Sequence, residues 1–362
     1  MTWNWQLKKW PDFEFTSEVL LRYEKAFLQK AGILYGSMKH ISNESQDELK
    51  VMLLSDEAFQ TSKIEGEFLD RDSLQSSIRK HFGLQTDKGK VSPAEHGISE
   101  MMIDLYKNYS FPLTHEQLFL WHKMLMNGRR DLQEIGSYRT HPDPMQIVSG
   151  SMGRPVIYFE APPSSKVKKE MSSYISWFNT GSENLGPVVK SGIAHLYFES
   201  IHPFEDGNGR IGRALSEKVL SQYLERPTLI ALSHIIENNK KVYYRSLHLN
   251  SKEIDITGWL EYFCETIIQA QDYTQKMIDF LINKASYYRE FDEKLNERQK
   301  KVVNRVFKEG IEGFKGGLSA DNYIKITGTT ASTATRDLKK MVDLGALRKT
   351  GERKGTRYYL NL

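Results

Sequence analysis

Cysteine is almost absent from this sequence: Cys264 is the only one in 362 residues, so no internal disulfide bond can form. It ends the mostly apolar stretch 260–264, where a small core residue is expected rather than a nucleophile. No run of 18 apolar residues occurs, which argues against a membrane-spanning helix, and residues 1–5 do not begin a signal peptide. The lack of CxxC and HExxH patterns excludes zinc sites of those types. These absences favour a cytoplasmic protein without membrane contact.

Charge is unevenly distributed along the chain. The net charge is +4, but residues 296–362 carry 15 Lys and Arg against 7 Asp and Glu, which leaves a net −4 for residues 1–295. A basic segment after a mildly acidic body indicates two kinds of partner. The length predicts two or three domains at roughly 150 residues each.

Apolar spacing predicts a mainly α-helical chain. Aromatic residues crowd the start, where we expect an extended arm that lies over a later apolar face: Trp3, Trp5, Trp10, Phe13 and Phe15. On the helix that follows, the predicted buried face consists of Val19, Leu20, Tyr23, Phe27, Ala31 and Ile33. Further helices are predicted over 45–64, 73–82, 93–109, 115–126, 166–178, 188–201, 211–224 and 257–288, with another beginning at 236.

One interruption of the helical pattern, residues 145–163, predicts a β-hairpin. Two β-favouring runs flank a turn at Gly150–Gly153. Such an edge hairpin either accepts an extended peptide by strand addition or is a plain surface hairpin. In the first case, the predicted second strand would form a flap over the site, with Val156, Ile157, Tyr158 and Phe159.

The segment 202–213, HPFEDGNGRIGR, concentrates the residues that handle a nucleoside triphosphate. Histidine is the side chain suited to proton transfer near neutral pH, so His202 is a candidate general base, and a lone carboxylate such as Asp206 suits Mg²⁺. The glycines allow close backbone approach to an anion, and the helix that begins here offers free N–H groups. Arg210 and Arg213 lie on one helix face and can clamp successive phosphates. The alternative is that His202 and Asp206 only shape the loop.

This segment resembles the signature HxFx(D/E)GNGRxxR of the Fic family at every defined position. The resemblance implies transfer of AMP from ATP to a Tyr, Ser or Thr hydroxyl of a target protein, which could be this chain itself. It implies that His202 is the base and that Asp206 binds Mg²⁺. It assigns the α- and β-phosphates to Gly207, Asn208, Gly209 and Arg210, and the γ-phosphate to Arg213.

A second segment, 61–66, resembles the inhibitory-helix motif (S/T)xxxE(G/N) of Fic proteins that inhibit themselves. Thr61 and Glu65 are one helical turn apart, and Gly66 is expected to end the helix. The resemblance implies that Glu65 pairs with Arg213 and denies it to the γ-phosphate. The alternative is a solvated glutamate at a helix end.

Adenine contacts are less sharply predicted. Tyr243 and Tyr244, with Asn250 as the nearest amide, resemble the part of the family that packs around the base, although both tyrosines are equally well explained as packing residues. His195 lies seven residues before His202 on the same helix face. We favour a core histidine there over a residue that supports the site.

Residues 291–362 are predicted to form a winged helix-turn-helix domain. Its helices fall at 297–308, 319–326 and 329–344, followed by a two-stranded wing over 345–351 and 358–360. The third helix has an apolar stripe of Ala334, Leu338, Met341 and Val342, and an outward face of Thr330, Ser332, Thr333, Arg336 and Lys340. DNA phosphate contact and protein contact are equally compatible with this face.

The sequence therefore predicts three regions: an N-terminal helical region (1–92) with the inhibitory helix, a Fic catalytic domain (93–290) and the winged-helix domain (291–362). The predicted function is a protein adenylyltransferase inhibited by Glu65. One rival is a hydrolase that removes AMP from a target at the same site. Another is a DNA-binding regulator that senses ATP without transferring it. The target and the formation of a homodimer are left open.

Overall fold

The computed structural model describes residues 2–39, 41–85, 91–149, 156–311, 313–314 and 316–362, and these are mainly helical, as predicted. The first helices are α1 Ser17–Met38, α2 Asn43–Ile64, α3 Arg71–His81, α4 Pro93–Asn108, α5 His115–Leu125, α6 Ser164–Ser176 and α7 Pro187–Ile201. They are followed by α8 Asn208–Tyr223, α9 Leu232–Asn238, α10 Lys240–Asn250, α11 Thr257–Phe291, α12 Glu297–Lys308, α13 Ala320–Thr327 and α14 Ala331–Asp343. The strands are β1 Gln146–Ser149, β2 Val156–Glu160, β3 Leu347–Thr350 and β4 Arg357–Leu360. In the described part of the chain, no helix combines the length and the apolar character needed to cross a membrane.

The backbone divides into two compact units. One consists of Met1–Gly36 and Gln46–Thr274, and the other of Ser37–Ser45 and Gln275–Leu362. The long helix α11 therefore contributes residues to both. The boundaries predicted at 92/93 and 290/291 stay predictions.

Helix α7 lies in the core of the first unit. Its sequence is apolar on nearly every side, which requires burial all round, and most of its residues are inaccessible to solvent. It packs in one cluster with residues of α1, α8, α10 and α11, among them Phe27, Leu220, Tyr243, Trp259 and Phe263. Cys264 belongs to the same cluster, as predicted. The residues that follow α7 are thus attached to a helix that is buried on nearly every side.

The buried face of α1 differs from the predicted one at its two ends. Leu20, Tyr23, Phe27 and Ala31 are buried as expected, but Val19 and Ile33 are exposed and Leu34 is buried instead. Positions 20, 23, 27, 31 and 34 follow the helical repeat, whereas Val19 and Ile33 lie one residue, about 100°, away from that stripe.

The aromatic residues near the start pack over later apolar surface as predicted, but the segment is not extended throughout: residues 4–11 form a 3₁₀ turn at Asn4–Gln6 and further turns. Trp3 is buried and packs edge-on against Phe159 of β2. The indole of Trp5 donates to the carbonyl of Glu160 (2.7 Å), and Trp10 packs against Tyr197 of α7. The arm therefore ties the base of the hairpin to the core helix.

Strands β1 and β2 form the predicted antiparallel hairpin, with a register shift between Ile147 and Val148. The turn predicted at Gly150–Gly153 lies outside the described residues.

In the second unit, α12, α13 and α14 precede the antiparallel pair β3–β4, which is the order of elements predicted from the sequence. Ala334, Leu338 and Met341 are buried, and Val342 is partly buried, so the apolar stripe of α14 is confirmed.

Candidate active site

The loop between α7 and α8 presents the side chains of the signature segment. His202 ends α7 in the left-handed region (φ 49°), a strained conformation for a residue with a side chain. Gly207 also has positive φ (83°), and a Cβ there would lie 2.9 Å from the Met126 methyl group. Since Gly207 provides no side-chain cap, the first N–H groups of α8 are available to an anion.

Asn208 holds this loop closed. Its amide nitrogen donates to the Phe204 carbonyl (2.8 Å), and its amide oxygen accepts from the Phe204 N–H (3.0 Å). Because both ends of the side chain are engaged, the phosphate contact predicted for Asn208 would have to come from its backbone N–H.

Arg139 is a buried cation that fixes the loop to the end of the hairpin. Its guanidinium donates to the carbonyls of His202 (2.8 Å) and Pro162 (2.6 Å) and to Ser164 Oγ (3.0 Å). The backbone N–H of Arg139 donates to the Pro203 carbonyl (3.0 Å). Burial lowers the pKa of Arg139 to about 10, so it remains charged at neutral pH. The conformation of His202 and the exit of β2 are therefore set by one side chain.

Asp206 lies between two arginines. Its carboxylate accepts from Arg129 (2.6 Å) and Arg210 (3.2 Å) and from the Gly207 N–H (2.5 Å). Burial raises the pKa of Asp206, but Arg210, Arg129 and the Gly207 N–H outweigh it and hold the pKa below its usual value. Asp206 is thus ionised at neutral pH.

Arg213 is held by residues 61–65 at the end of α2. Its side chain is 1% exposed, and it donates to Thr61 Oγ1 (2.8 Å), the Thr61 carbonyl (3.0 Å) and Glu65 Oε1 (2.7 Å). Burial acts to lower the pKa of Arg213, but Glu65 and nearby groups raise it above its usual value. The pairing of Glu65 with Arg213 that the motif implied is therefore present in the structure.

Arg210 is paired by a neighbouring carboxylate in the same way. Its guanidinium donates to Glu67 Oε2 (2.7 Å) as well as to Asp206. Glu65 and Glu67 flank Gly66, whose positive φ (84°) turns the chain after α2. Each signature arginine consequently has a carboxylate partner from the segment that follows α2.

Gly209 allows Glu65 to approach α8. A Cβ at this position would lie 2.2 Å from Glu65 Oε1 and 3.1 Å from Arg213 Nη1. Any larger residue would push the Glu65 carboxylate away from Arg213.

The three residues predicted to contact adenine, Tyr243, Tyr244 and Asn250, lie in different surroundings. Tyr243 is 1% exposed and its hydroxyl bonds to His195 Nε2 (2.7 Å), which matches its alternative role as a packing residue, and its nucleotide contact stays a prediction. Tyr244 is 40% exposed, and its hydroxyl donates to the Ile64 carbonyl (3.2 Å). Asn250 donates to the Ser246 carbonyl (2.8 Å) and, among the described contacts, meets none of the signature residues. Adjacent helix positions point about 100° apart, which separates the two tyrosines.

His195 is the core histidine that we favoured. It is fully buried, and its ring stacks on Trp259 and Phe263. Burial lowers its pKa to about 4, so the ring is neutral at pH 7.

The hairpin presents part of the predicted flap. Ile157 and Tyr158 are exposed, whereas Phe159 is buried against Trp3 and anchors the hairpin rather than facing a target. The side chain of Val156 lies outside the described residues. The Tyr158 carbonyl bonds to His248 Nδ1 (2.7 Å), which connects β2 to α10.

Three site residues were missed from the sequence: Glu67, Arg129 and Glu199. Glu199 Oε2 lies 3.6 Å from His202 Nδ1, and its i,i+3 spacing from His202 was a usable signal. Arg129 reaches the loop from a distant part of the sequence, and no spacing rule indicates it. Arg139 ends the segment 136–139, which resembles the part of the Fic family upstream of the signature, although its role in the loop was not predicted.

Comparison with known proteins agrees with this geometry. Residues 112–220 match the Fic/DOC family, and residues 3–84 match a domain of unknown function, DUF4172. A probable protein adenylyltransferase of Aquifex aeolicus is 40% identical over 62 residues, which cover 17% of this chain and 19% of that protein. A protein adenylyltransferase, Fic, of Drosophila grimshawi is 29% identical over 146 residues, covering 39% of this chain and 27% of that protein. The matches thus span about a fifth to a quarter of these relatives.

Solved structures show the same fold. A Fic family protein from Desulfovibrio desulfuricans G20 has a TM-score of 0.53 at 21% identity, over 97% of this chain and 98% of that one. A Fic domain containing signaling protein from Bacteroides thetaiotaomicron gives 0.53 at 21% identity, over 71% of this chain and 98% of that one. The family match and the adenylyltransferase relatives, with the signature loop in its place between α7 and α8, support a Fic domain within this chain, and the solved structures show that its fold is shared.

Proposed function

We propose that this protein transfers AMP from ATP to a hydroxyl side chain of a target protein and that Glu65 holds it inactive. The observation that carries the proposal is the contact of Glu65 with Arg213, a buried arginine one turn inside the helix that begins at the signature loop. The names of the adenylyltransferase relatives support the same reaction.

The arrangement suits in-line transfer. The N-terminus of α8 and Arg210 would hold phosphates, because free N–H groups and a guanidinium both favour anions. His202 would accept the proton of the target hydroxyl while the hydroxyl oxygen bonds to the α-phosphorus and the bond from the α-phosphorus to pyrophosphate breaks. Small displacements of the reacting groups are costly, so Arg213 matters as the anchor of the γ-phosphate.

Asp206 is the residue that would hold Mg²⁺. Among the described residues, no group of three His, Cys, Asp or Glu forms a metal site. A single ionised carboxylate nevertheless fits, because Mg²⁺ keeps its waters and borrows phosphate oxygens. When bound, the ion would neutralise phosphate charge, and Asp206 would exchange an arginine partner for it.

The target would bind along the hairpin. Ile147, Val148, Ile157 and Tyr158 expose apolar surface there, and an edge strand can pair with an extended peptide. The target that binds in this way could also be a second copy of this chain or an exposed segment of the same chain.

Glu65→Gly is expected to raise AMP transfer by about 10²-fold, because Arg213 becomes free to fix the γ-phosphate and misplacement costs about that much. The measurement is incorporation of label from α-labelled ATP into protein. Glu65→Gln, which keeps the size but loses the charge, should give an intermediate rate.

The rival functions give different results in this assay. If Glu65→Gly were no faster and lost an ability to remove AMP from labelled protein, a hydrolase would be the better description. If neither transfer nor removal occurred although ATP bound, the chain would be an ATP sensor.

We further propose that the second unit binds nucleic acid through α14. Ser332, Arg336, Lys339 and Lys340 are exposed on this helix, and the segment 296–362 has a net charge of +8. The order of elements, three helices and then a hairpin, is that of a winged helix.

Binding of duplex DNA to the full chain should weaken steeply with salt, since each phosphate contact releases a counterion. Replacing Lys339 and Lys340 by alanine should reduce the slope of log affinity against log salt by about 2. The matched control replaces Lys168 and Lys169, exposed on α6, and should leave the slope unchanged. Absence of binding at low salt would favour a protein partner.

A further inference from the structure

We infer that Glu199 is the positioning residue of the proposed base: it holds the His202 ring with the proton on Nδ1 and faces the positive charge that forms on the ring. This inference rests on the proposed function. Glu199 lies three residues before His202, in the last turn of α7, and its Oε2 is 3.6 Å from His202 Nδ1. The two side chains are 11% and 12% exposed, so water scarcely screens them.

Both side chains have an unused polar atom. His202 Nδ1 and Glu199 Oε1 are buried without a hydrogen-bond partner in the described part of the chain. Buried polar groups are rarely left unpaired, and a lone buried donor is costly. The other carboxylate oxygen of Glu199, Oε2, lies 3.6 Å from His202 Nδ1 and is positioned to accept its hydrogen bond. Catalytic hydrogen bonds that are long in an empty site commonly shorten when substrate binds.

The strained end of α7 keeps the ring next to Glu199. His202 has left-handed backbone angles, and Arg139 holds its carbonyl at 2.8 Å. At α8, Gly212 leaves room for the carboxylate, because a Cβ there would lie 2.7 Å from Glu199 Oε1. The backbone on both sides is therefore shaped around this pair.

This placement decides which nitrogen acts as the base. With the proton on Nδ1, the lone pair of Nε2 is free to accept the hydroxyl proton. As the oxygen bonds to the α-phosphorus and pyrophosphate leaves, the proton remains on Nε2 and the ring becomes positive. Glu199 stays ionised throughout and stabilises that charge.

Other charged and titratable groups face the pair from several helices: His195 on α7, Arg213 on α8, Glu65 after α2, and Tyr243 and Tyr244 on α10. Burial raises the pKa of Glu199, but His202, His195 and Arg213 outweigh it and hold the pKa below its usual value. The carboxylate is therefore charged where the enzyme would work.

The test uses Glu199→Gln and Glu199→Asp in the full chain that carries Glu65→Gly. Glu199→Gln should lower kcat by about 10- to 100-fold, as loss of an orienting partner does, with KM for ATP unchanged. Removing the negative charge disfavours the protonated ring, so the acid limb of the pH–rate profile should move to lower pH. Glu199→Asp should recover part of kcat and the parent's pH profile. Glu183→Gln, at an exposed glutamate, controls for lost charge.

An unchanged kcat in Glu199→Gln would overturn the inference. The inference would also fail if both Glu199→Gln and Glu199→Asp lost kcat while their pH–rate profiles stayed unchanged, because that result indicates a structural role.

If the Glu65→Gly parent transfers no AMP, the proposed function fails, but ¹⁵N NMR of the His202 ring still tests whether Glu199 positions it. The inference is supported if the His202 ring is protonated at Nδ1 in the wild-type chain and loses that preference in Glu199→Gln. It is overturned if the wild-type ring is protonated at Nε2.

Discussion

Replacing His202 by alanine in the Glu65→Gly chain is expected to lower the rate of AMP transfer by about 10²- to 10⁴-fold, the usual effect of losing a general base. ATP should still bind, because Arg210, Arg213 and the N-terminus of α8 remain. The rate is measured by incorporation of labelled AMP, and the affinity by calorimetry with ATP and Mg²⁺. The combination of intact binding and lost rate identifies a residue that acts on the proton.

His96→Ala is a suitable control, since His96 is a half-exposed histidine paired with Glu100 on α4. It should leave both quantities unchanged. Transfer at a near-normal rate by His202→Ala would remove His202 from the reaction and leave it as a loop residue.

The second large effect is expected at Arg213. Arg213→Ala should be inactive, and the addition of Glu65→Gly should not rescue it, because both substitutions act through the same contact. Arg213→Lys should recover little, since an ammonium cannot reproduce the two-nitrogen contact of a guanidinium. The unsubstituted chain, Arg213→Ala, Glu65→Gly and the double variant form a double-mutant cycle in which the two effects are expected to be strongly non-additive.

Arg213 is buried, so its removal also affects folding. Loss of one partner of a buried ion pair costs about 3–5 kcal/mol, and thermal unfolding of each chain must be measured beside the rate. A folded double variant as fast as Glu65→Gly alone would show that Glu65 inhibits by a route other than Arg213.

The parts predicted well from the sequence are those governed by local rules. The all-round apolar pattern of 188–201 indicated a buried helix, and the glycine-flanked turn of 202–213 indicated the start of the next helix. The stripe of Ala334, Leu338 and Met341 followed the helical repeat. In each case, the information lay within a few turns of one element.

Other features depend on tertiary packing, which the sequence does not show. Tyr243 and Tyr244 are chemically alike, and only the orientation of α10 shows that Tyr243 faces His195 in the core. Phe159 belongs to the hairpin by sequence, but Trp3 from the arm covers it. Arg139 and Glu67 meet the loop across long stretches of chain, and their roles depend on contacts that no periodicity encodes.

The contact of Glu65 with Arg213 joins two parts of one polypeptide. Its strength is therefore set by an effective concentration that the fold fixes, not by the amount of protein in solution. Dilution would leave the occupancy of Arg213 unchanged, and a soluble carboxylate would compete for it only at very high concentration. Under the proposed inhibition, an activator would have to move the segment after α2 within the same molecule.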